Sequence, residues 1–217
     1  MGDNAPARPA TAEAQQARAL IARLALGQMA PRLTAAQLPD HHDFGGFQHV
    51  VDVGGRDGTL LASVLRRFPT LRGTVYDTAD GLAQASDKLA ELGLTERCDV
   101  AVGDFFASVP AGADPYLIKS VIHDWSDERC AGILRRCRDA LPDHGRVLVV
   151  EPVLPPLVDP RVAGLYLSDL NTLVNVGGRE RTREDFAALC ASAGLAVISV
   201  TALPAPNAFS LIEAAPA

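Results

Sequence analysis

The stretch Asp52-Val53-Gly54-Gly55-Arg56-Asp57-Gly58 constrains this chain more than any other. The apolar run His49-Val50-Val51 leads into it, and Thr59-Leu60-Leu61-Ala62-Ser63-Val64-Leu65 leaves it with apolar residues at helical spacing. A strand, a glycine turn and a helix follow from that order. Glycines let backbone approach a ligand, and a helix start aims N–H groups at it. Asp52, at the end of the strand, can accept from a ligand's amino or hydroxyl groups. Such turns also occur without a ligand, so the rest of the chain has to decide.

The unit then repeats. Strands at His49–Val53, Gly73–Tyr76, Asp99–Val102, Pro115–Ser120 and Arg146–Val150 alternate with helices at Gly58–Arg67, Gly81–Leu92 and Ser126–Leu141. Helices over Val162–Val174 and Arg183–Ser192 come next, the second capped by Thr182 and stopped by Gly194. The final strands, Ala196–Thr201 and Ala208–Ala214, are joined by so short a connection that they form an antiparallel hairpin. The alternation predicts an α/β fold, a mostly parallel sheet with helices on both faces. Ahead of it, residues 1–11 read as a tail. Ala17, Leu20, Ile21 and Leu24 mark an amphipathic helix over Ala12–Leu26, and a shorter helix follows Pro31 through Leu38. Pro39–Asp43 reads as a linker, which divides the chain into residues 1–43 and 44–217. His41 and His42 look like a metal pair, but nothing near them completes a site.

The formal charge of −6 argues against nucleic acid as the main partner, because a phosphate footprint needs a basic surface. No apolar run is long enough to span a membrane, and Met1 to Pro9 lacks the basic-then-apolar order of a signal peptide. Cys98, Cys130, Cys137 and Cys190 are scattered, with no C-x-x-C pair, which fits a reducing cytoplasm.

In sheets of this kind ligands bind beyond the C-terminal ends of the strands. Asp52, Asp77, Asp104, Lys119 to His123 and Glu151 all fall there, and five strand ends carrying ionisable groups point to a site. Asp77 can take both hydroxyls of a ribose. Asp104 beside Phe105 and Phe106 suits an adenine, whose amine needs an acceptor and whose face needs a ring. A nicotinamide cofactor fits less well, because the chain has no second nucleotide-binding half.

Asp52-Val53-Gly54-Gly55, Asp77, Gly103-Asp104-Phe105-Phe106, Lys119, His123-Asp124-Trp125, Glu151 and Gly177-Gly178-Arg179-Glu180-Arg181-Thr182 occur in one order. In that order they resemble the S-adenosylmethionine-dependent O-methyltransferases of the plant caffeate and bacterial polyketide type. The resemblance runs from Phe44 to Ala214. It implies a Rossmann-like class I methyltransferase fold, with a seven-stranded sheet whose last strand is antiparallel. It also implies S-adenosyl-L-methionine as cofactor, with Gly54 under the methionine part, Asp77 on the ribose and Asp104 and Phe105 on adenine. Trp125 would cover the adenine, and Lys119 would meet the cofactor from the fourth strand. His123 would be the general base, bracketed by Glu151 and Glu180, with Asp124 facing the substrate's oxygens. Asp169 and Asn171 either line the substrate pocket or lie on a helix surface. No metal is implied.

The chemistry fits a small aromatic substrate of secondary metabolism. A phenol, with a pKa of about 10, is a poor nucleophile until it loses its proton. An unperturbed imidazole is neutral and basic at neutral pH, and a carboxylate at its other nitrogen fixes the tautomer. The sulfonium methyl is already activated, so the protein mainly aligns oxygen, carbon and sulfur.

Two features depart from the family. Arg56 stands where the family has a glycine, and residues 1–43 stand where it carries an N-terminal helical, winged-helix-like domain. That domain forms the family's dimer, so any homodimer here is expected through the N-terminal helices. The departures leave two alternatives open: an accessory protein that has lost turnover, and a non-methylating enzyme on the same scaffold.

Overall fold

Val50, Val51 and Val53 of the first strand are all fully buried, a pattern that only a strand covered on both faces shows. The computed structural model describes residues 32–217, so the expected helix over Ala12–Leu26 lies outside the described residues. Eight strands run in chain order: β1 His49–Val53, β2 Arg72–Asp77, β3 Cys98–Val102, β4 Pro115–Lys119, β5 Arg146–Leu154, β6 Arg181–Thr182, β7 Leu195–Ala202 and β8 Phe209–Pro216. The helices are α1 (residues 32–41), α2 Thr59–Arg67, α3 Ala85–Glu91, α4 Asp127–Ala140, α5 Ala163–Val176 and α6 Arg183–Ser192.

Seven strands form one path, β3-β2-β1-β4-β5-β8-β7, and the two-residue β6 pairs with β5 off that path. All pairings from β3 to β5 are parallel; β8 runs antiparallel to both β5 and β7. This is the expected seven-stranded architecture. Successive strand residues point to opposite faces. Val50, Leu117, Leu148 and Val150 join one core cluster with α1, α2 and α3. Val51, Ile118, Val147 and Val149 join the other, with α4 and α6.

The expected linker is corrected by α1, which is helical through residue 41. Its Ala35 and Leu38 enter the same core cluster as Phe44, and Asn207 bonds Thr34 and Gln37. The expected helix Gly81–Leu92 is helical only over Ala85–Glu91. The chain first turns at Thr78–Leu82, where the Thr78 hydroxyl accepts from Gly81. β5 runs four residues beyond its expected end at Val150, so Glu151 lies inside it. Pro152 hides that extension in the sequence. Its missing N–H falls in the gap between the β4 pairing, which ends opposite Val150, and the β6 pairing, which begins at Val153.

Helix α6 follows its sequence signal closely. The Thr182 side chain accepts from Asp185 N at 3.1 Å, and the Asp185 carboxylate accepts from Thr182 N at 3.0 Å. Helix α5 inverts the usual pattern: Leu167, Leu170, Leu173 and Val174 face outward, while Ser168 and Asp169 face the protein.

Candidate active site

The strand order reverses between β1 and β4, which is where an open parallel sheet leaves a crevice. The loops leaving those two strands carry Arg56 (φ 51) and Ser120 (φ 53), the non-glycine residues at positive φ among the described residues. Side chains there cost of order 1–2 kcal/mol each, and such strain gathers at functional sites.

The β1 and β2 ends interlock. Gly54 (φ 75) donates to Tyr76 O at 2.8 Å, and a Cβ on it would meet Val121. Arg56 is exposed, and its charge reaches Lys119 and Asp124 across the cleft, while its N–H donates to Asp77 Oδ2 at 3.1 Å. Thr78 N donates to Asp77 Oδ1 at 2.7 Å. Asp52 is buried beneath Gly55; burial pushes its carboxyl up to about 7, and its Oδ2 has no hydrogen-bond partner.

On the β3 side Asp104 accepts from Phe106 N at 2.8 Å and closes its own turn. Phe105 meets Phe106 with ring centroids 4.9 Å apart, and Phe106 meets Trp125 edge-on at the same distance. Lys119 donates to Ser120 Oγ at 2.9 Å and lies 5.0 Å over the Phe209 ring. Burial lowers its pKa, against the pull of Glu151 and Asp52.

After β4 the chain forms a short 3-10 turn, Ile122–Asp124, rather than the expected loop. Buried Glu151 builds it: its Oε1 accepts from Val121 N and Ile122 N, both at 2.9 Å, and from His123 N at 3.4 Å. The imidazole of His123 is thereby held with Nδ1 3.3 Å from Glu180 Oε1 and 3.3 Å from Glu151 Oε2. Nδ1–H donates to Glu180, and Nε2 is left 3.5 Å from Asp124 Oδ1.

Burial by itself lowers the His123 pKa, but the Glu180 bond and the charges of Glu151, Glu180 and Asp124 outweigh it and raise the value to about 9. Burial likewise pushes Glu151 up to about 7 and raises Asp124. The expectation of an imidazole already neutral at neutral pH is therefore corrected: three carboxylates stabilise the imidazolium. The atoms of His123, Glu151 and Glu180 that could ligate a metal lie within 4.8 Å of one another. A cation there would have to displace the proton that Nδ1 donates to Glu180.

The Gly177–Thr182 segment locks this histidine in place. Gly177 (φ 74) ends α5 in the left-handed conformation glycine favours. A Cβ on Gly178 would overlap the His123 carbonyl oxygen, which accepts from Arg179 N at 2.9 Å. Ser168 Oγ donates to Glu180 Oε1 at 3.1 Å, and Asp169 Oδ1 accepts from Glu180 N at 2.8 Å. Asn171 instead accepts from Asn175 Nδ2 at 2.8 Å along the helix.

Comparison with known proteins places the chain in a family. Residues 10–196 match the model of the O-methyltransferase domain. The chain belongs to that family. O-demethylpuromycin-O-methyltransferase of Streptomyces alboniger is 48% identical to it over 184 residues, covering 84% of this chain and 49% of the relative. Among solved structures, the mitomycin 7-O-methyltransferase MmcR superposes with a TM-score of 0.81 at 38% identity, over 94% of this chain and 58% of that one. The O-methyltransferase NcsB1, in complex with S-adenosylmethionine and 2-hydroxy-5-methyl naphthoic acid, superposes with a TM-score of 0.75 at 36% identity, over 83% and 52%. The chain spans about half the length of the curated relatives it matches.

Sequence reasoning missed three side chains of this O-methyltransferase domain. Arg181, only 1% exposed, donates to Ile122 O at 2.8 Å, Trp125 O at 2.9 Å and Asp127 Oδ1 at 2.7 Å. It pins both ends of the turn that presents His123. Asp127, in the first turn of α4, is its counter-ion. Ser168 supports Glu180 from α5. Only Arg181 had a signal: two arginines flank Glu180, and nothing local says which one turns inward.

Proposed function

We propose that this domain moves a methyl group from S-adenosyl-L-methionine to a hydroxyl of an aromatic small molecule of secondary metabolism, with His123 as general base. The observation that carries the reading is the setting of His123: two buried glutamates lie 3.3 Å from Nδ1, and Nε2 is left beside half-exposed Asp124.

The cleft residues fit the cofactor. A Cβ at Gly81 would lie 2.6 Å from Asp77 Cγ, so only glycine fits beside that carboxylate, whose oxygens, already accepting from Arg56 N and Thr78 N, keep further acceptor sites for ribose hydroxyls. The orphaned Asp52 Oδ2 is an acceptor in search of a donor. When bound, S-adenosyl-L-methionine supplies a methyl group already activated by its sulfonium charge. Asp77 holds the ribose, Asp104 and Phe105 hold adenine with Trp125 over it, and Gly54 and Lys119 meet the methionine end. His123 Nε2 takes the proton of the acceptor hydroxyl, and Glu180 and Glu151 stabilise the imidazolium. Asp124 faces the acceptor's oxygens, and Asp169 and Asn171 belong to the α5 wall of the substrate pocket.

Residues 44–217 are the methyltransferase domain in this reading, and residues 1–43 its preceding tail and helices. Those helices carry a homodimer, favoured also by the outward leucines of α5, and sedimentation at a doubled mass of the 22.9 kDa chain checks it. The four free, buried cysteines suit a reducing cytoplasm.

The activity is tested by incubating the protein with methyl-labelled cofactor and a panel of hydroxylated aromatics, reading product mass. A product heavier by one methyl group is expected. Turnover without that gain means a different reaction on this scaffold, and no affinity for S-adenosylhomocysteine means an accessory protein.

A further inference from the structure

The aromatic wall of the cleft is assembled from loops that the sheet holds apart. Phe105 and Phe106 leave β3, Trp125 follows β4, and β2 and β1 lie between those two strands. Neither loop is regular beyond its short turn, and backbone pairing does not join them. Their rings nevertheless meet edge-on at 4.9 Å, with planes 88° apart.

Helix α4 supplies the bridge. Arg129, in its first turn, places its guanidinium 4.0 Å from the Phe106 ring centroid and 4.3 Å from that of Trp125. Two turns further on, Arg136 Nε donates to Phe106 O at 2.7 Å. A planar cation over two ring faces attracts both and fixes their separation, which a flexible ammonium does less well. Arg129 is exposed and has no salt-bridge partner among the described residues. The neighbouring acids are taken up elsewhere: Asp127 pairs with Arg179 and Arg181. Its position is set by the rings.

We propose that Arg129 is a positioning residue of the cofactor site, a clamp that holds Phe106 and Trp125 in the separation at which an adenine fits against Phe105 under the indole. The proposal rests on the cofactor reading above. It assigns to an exposed arginine a part in nucleoside affinity, while leaving the proton transfer at His123 untouched.

Trp125 is the single tryptophan of the chain, so indole fluorescence and the indole bands of the near-ultraviolet dichroism report this wall. The experiment compares the full chain with R129M and R129K. Without ligand, R129M is expected to shift the emission of Trp125 and weaken its dichroic bands. S-adenosylhomocysteine should bind R129M about tenfold more weakly by calorimetry, and the cofactor KM should rise by a like factor with kcat within about twofold. R129K, which keeps the charge but not the plane, should fall between the two. An R129M spectrum identical to that of the parent, or an equal affinity, overturns the clamp. A parent chain that binds no S-adenosylhomocysteine overturns the cofactor reading instead, and the clamp with it.

Discussion

Replacing His123 by alanine is expected to lower kcat for methyl transfer by about 10²–10⁴-fold, the usual contribution of a positioned general base. Binding of S-adenosylhomocysteine should change by less than about threefold, since the imidazole serves the acceptor's proton rather than the cofactor. An active His123→Ala variant would remove the base from the reading. The pH dependence sharpens the test. Because three carboxylates hold the His123 pKa up at about 9, the neutral form is scarce at neutral pH in the free domain. The rate constant kcat/KM should therefore climb between pH 6.5 and 9, with a limb that stays put when acceptors of different acidity are compared. A limb at 6.5 would mean that Glu151 and Glu180 do not stabilise the imidazolium.

The same shift has a consequence for stability, with the opposite sign. A histidine whose folded pKa lies above its unfolded value stabilises the fold fully below pH 6.5 and loses that contribution as pH rises through about 9. At 1.36 kcal/mol per unit the effect is of order 3 kcal/mol. The melting difference between the parent and His123→Ala should thus be greatest in mild acid and shrink above pH 9.

The second large effect is on folding. Arg181→Met should cost about 3–5 kcal/mol in urea unfolding, the usual penalty for breaking a buried charge-assisted network. The substitution takes the guanidinium donors from Ile122 O and Trp125 O, leaving them the weak Cys130 thiol and, for Ile122 O, the long Trp125 N–H contact, and takes from Asp127 a partner only 1% exposed. The melting temperature should fall by roughly 10 °C. Arg181→Lys keeps the charge but cannot fork between two carbonyls and a carboxylate, so it should recover part of the loss. Activity of the folded fraction should fall as well, because Arg181 holds both ends of the turn that carries His123. A loss below 1 kcal/mol would show that the turn is held by Glu151 alone.

Glu151 and Arg181 grip the same turn in different ways. Glu151 gathers the N–H groups of residues 121–123 from below, and Arg181 gathers the carbonyls of Ile122 and Trp125 from the side. Between them they satisfy donors and acceptors of a segment too short to satisfy its own. The residue that touches the substrate in the proposed reaction is thus placed by two buried ionic groups, neither of which needs to touch it.

The fold was legible because its signals are local. Alternating apolar runs, the glycine turn after β1, the Thr182 cap and the Gly194 stop each act within a few residues, and each is where the chain order puts it. What misled were residues whose local meaning is ambiguous. Pro39 and Asp40 read as a linker yet belong to α1, because Ala35 and Leu38 bury that helix in the core. Pro152 reads as a strand end, yet it falls between the β4 and β6 pairings of β5.

By itself, then, the sequence determined the parallel sheet, the crevice at its carboxyl ends and the identity of the histidine and its two glutamates, because repeating short-range patterns and one ordered set of motifs encode them. Only the tertiary structure decided that three carboxylates surround the His123 imidazole, that Arg181 rather than Arg179 turns inward, and that Arg129 joins two distant loops. Those outcomes depend on partners 23 to 59 residues apart in the chain, on burial, and on charges summed in space. No window of sequence holds that information.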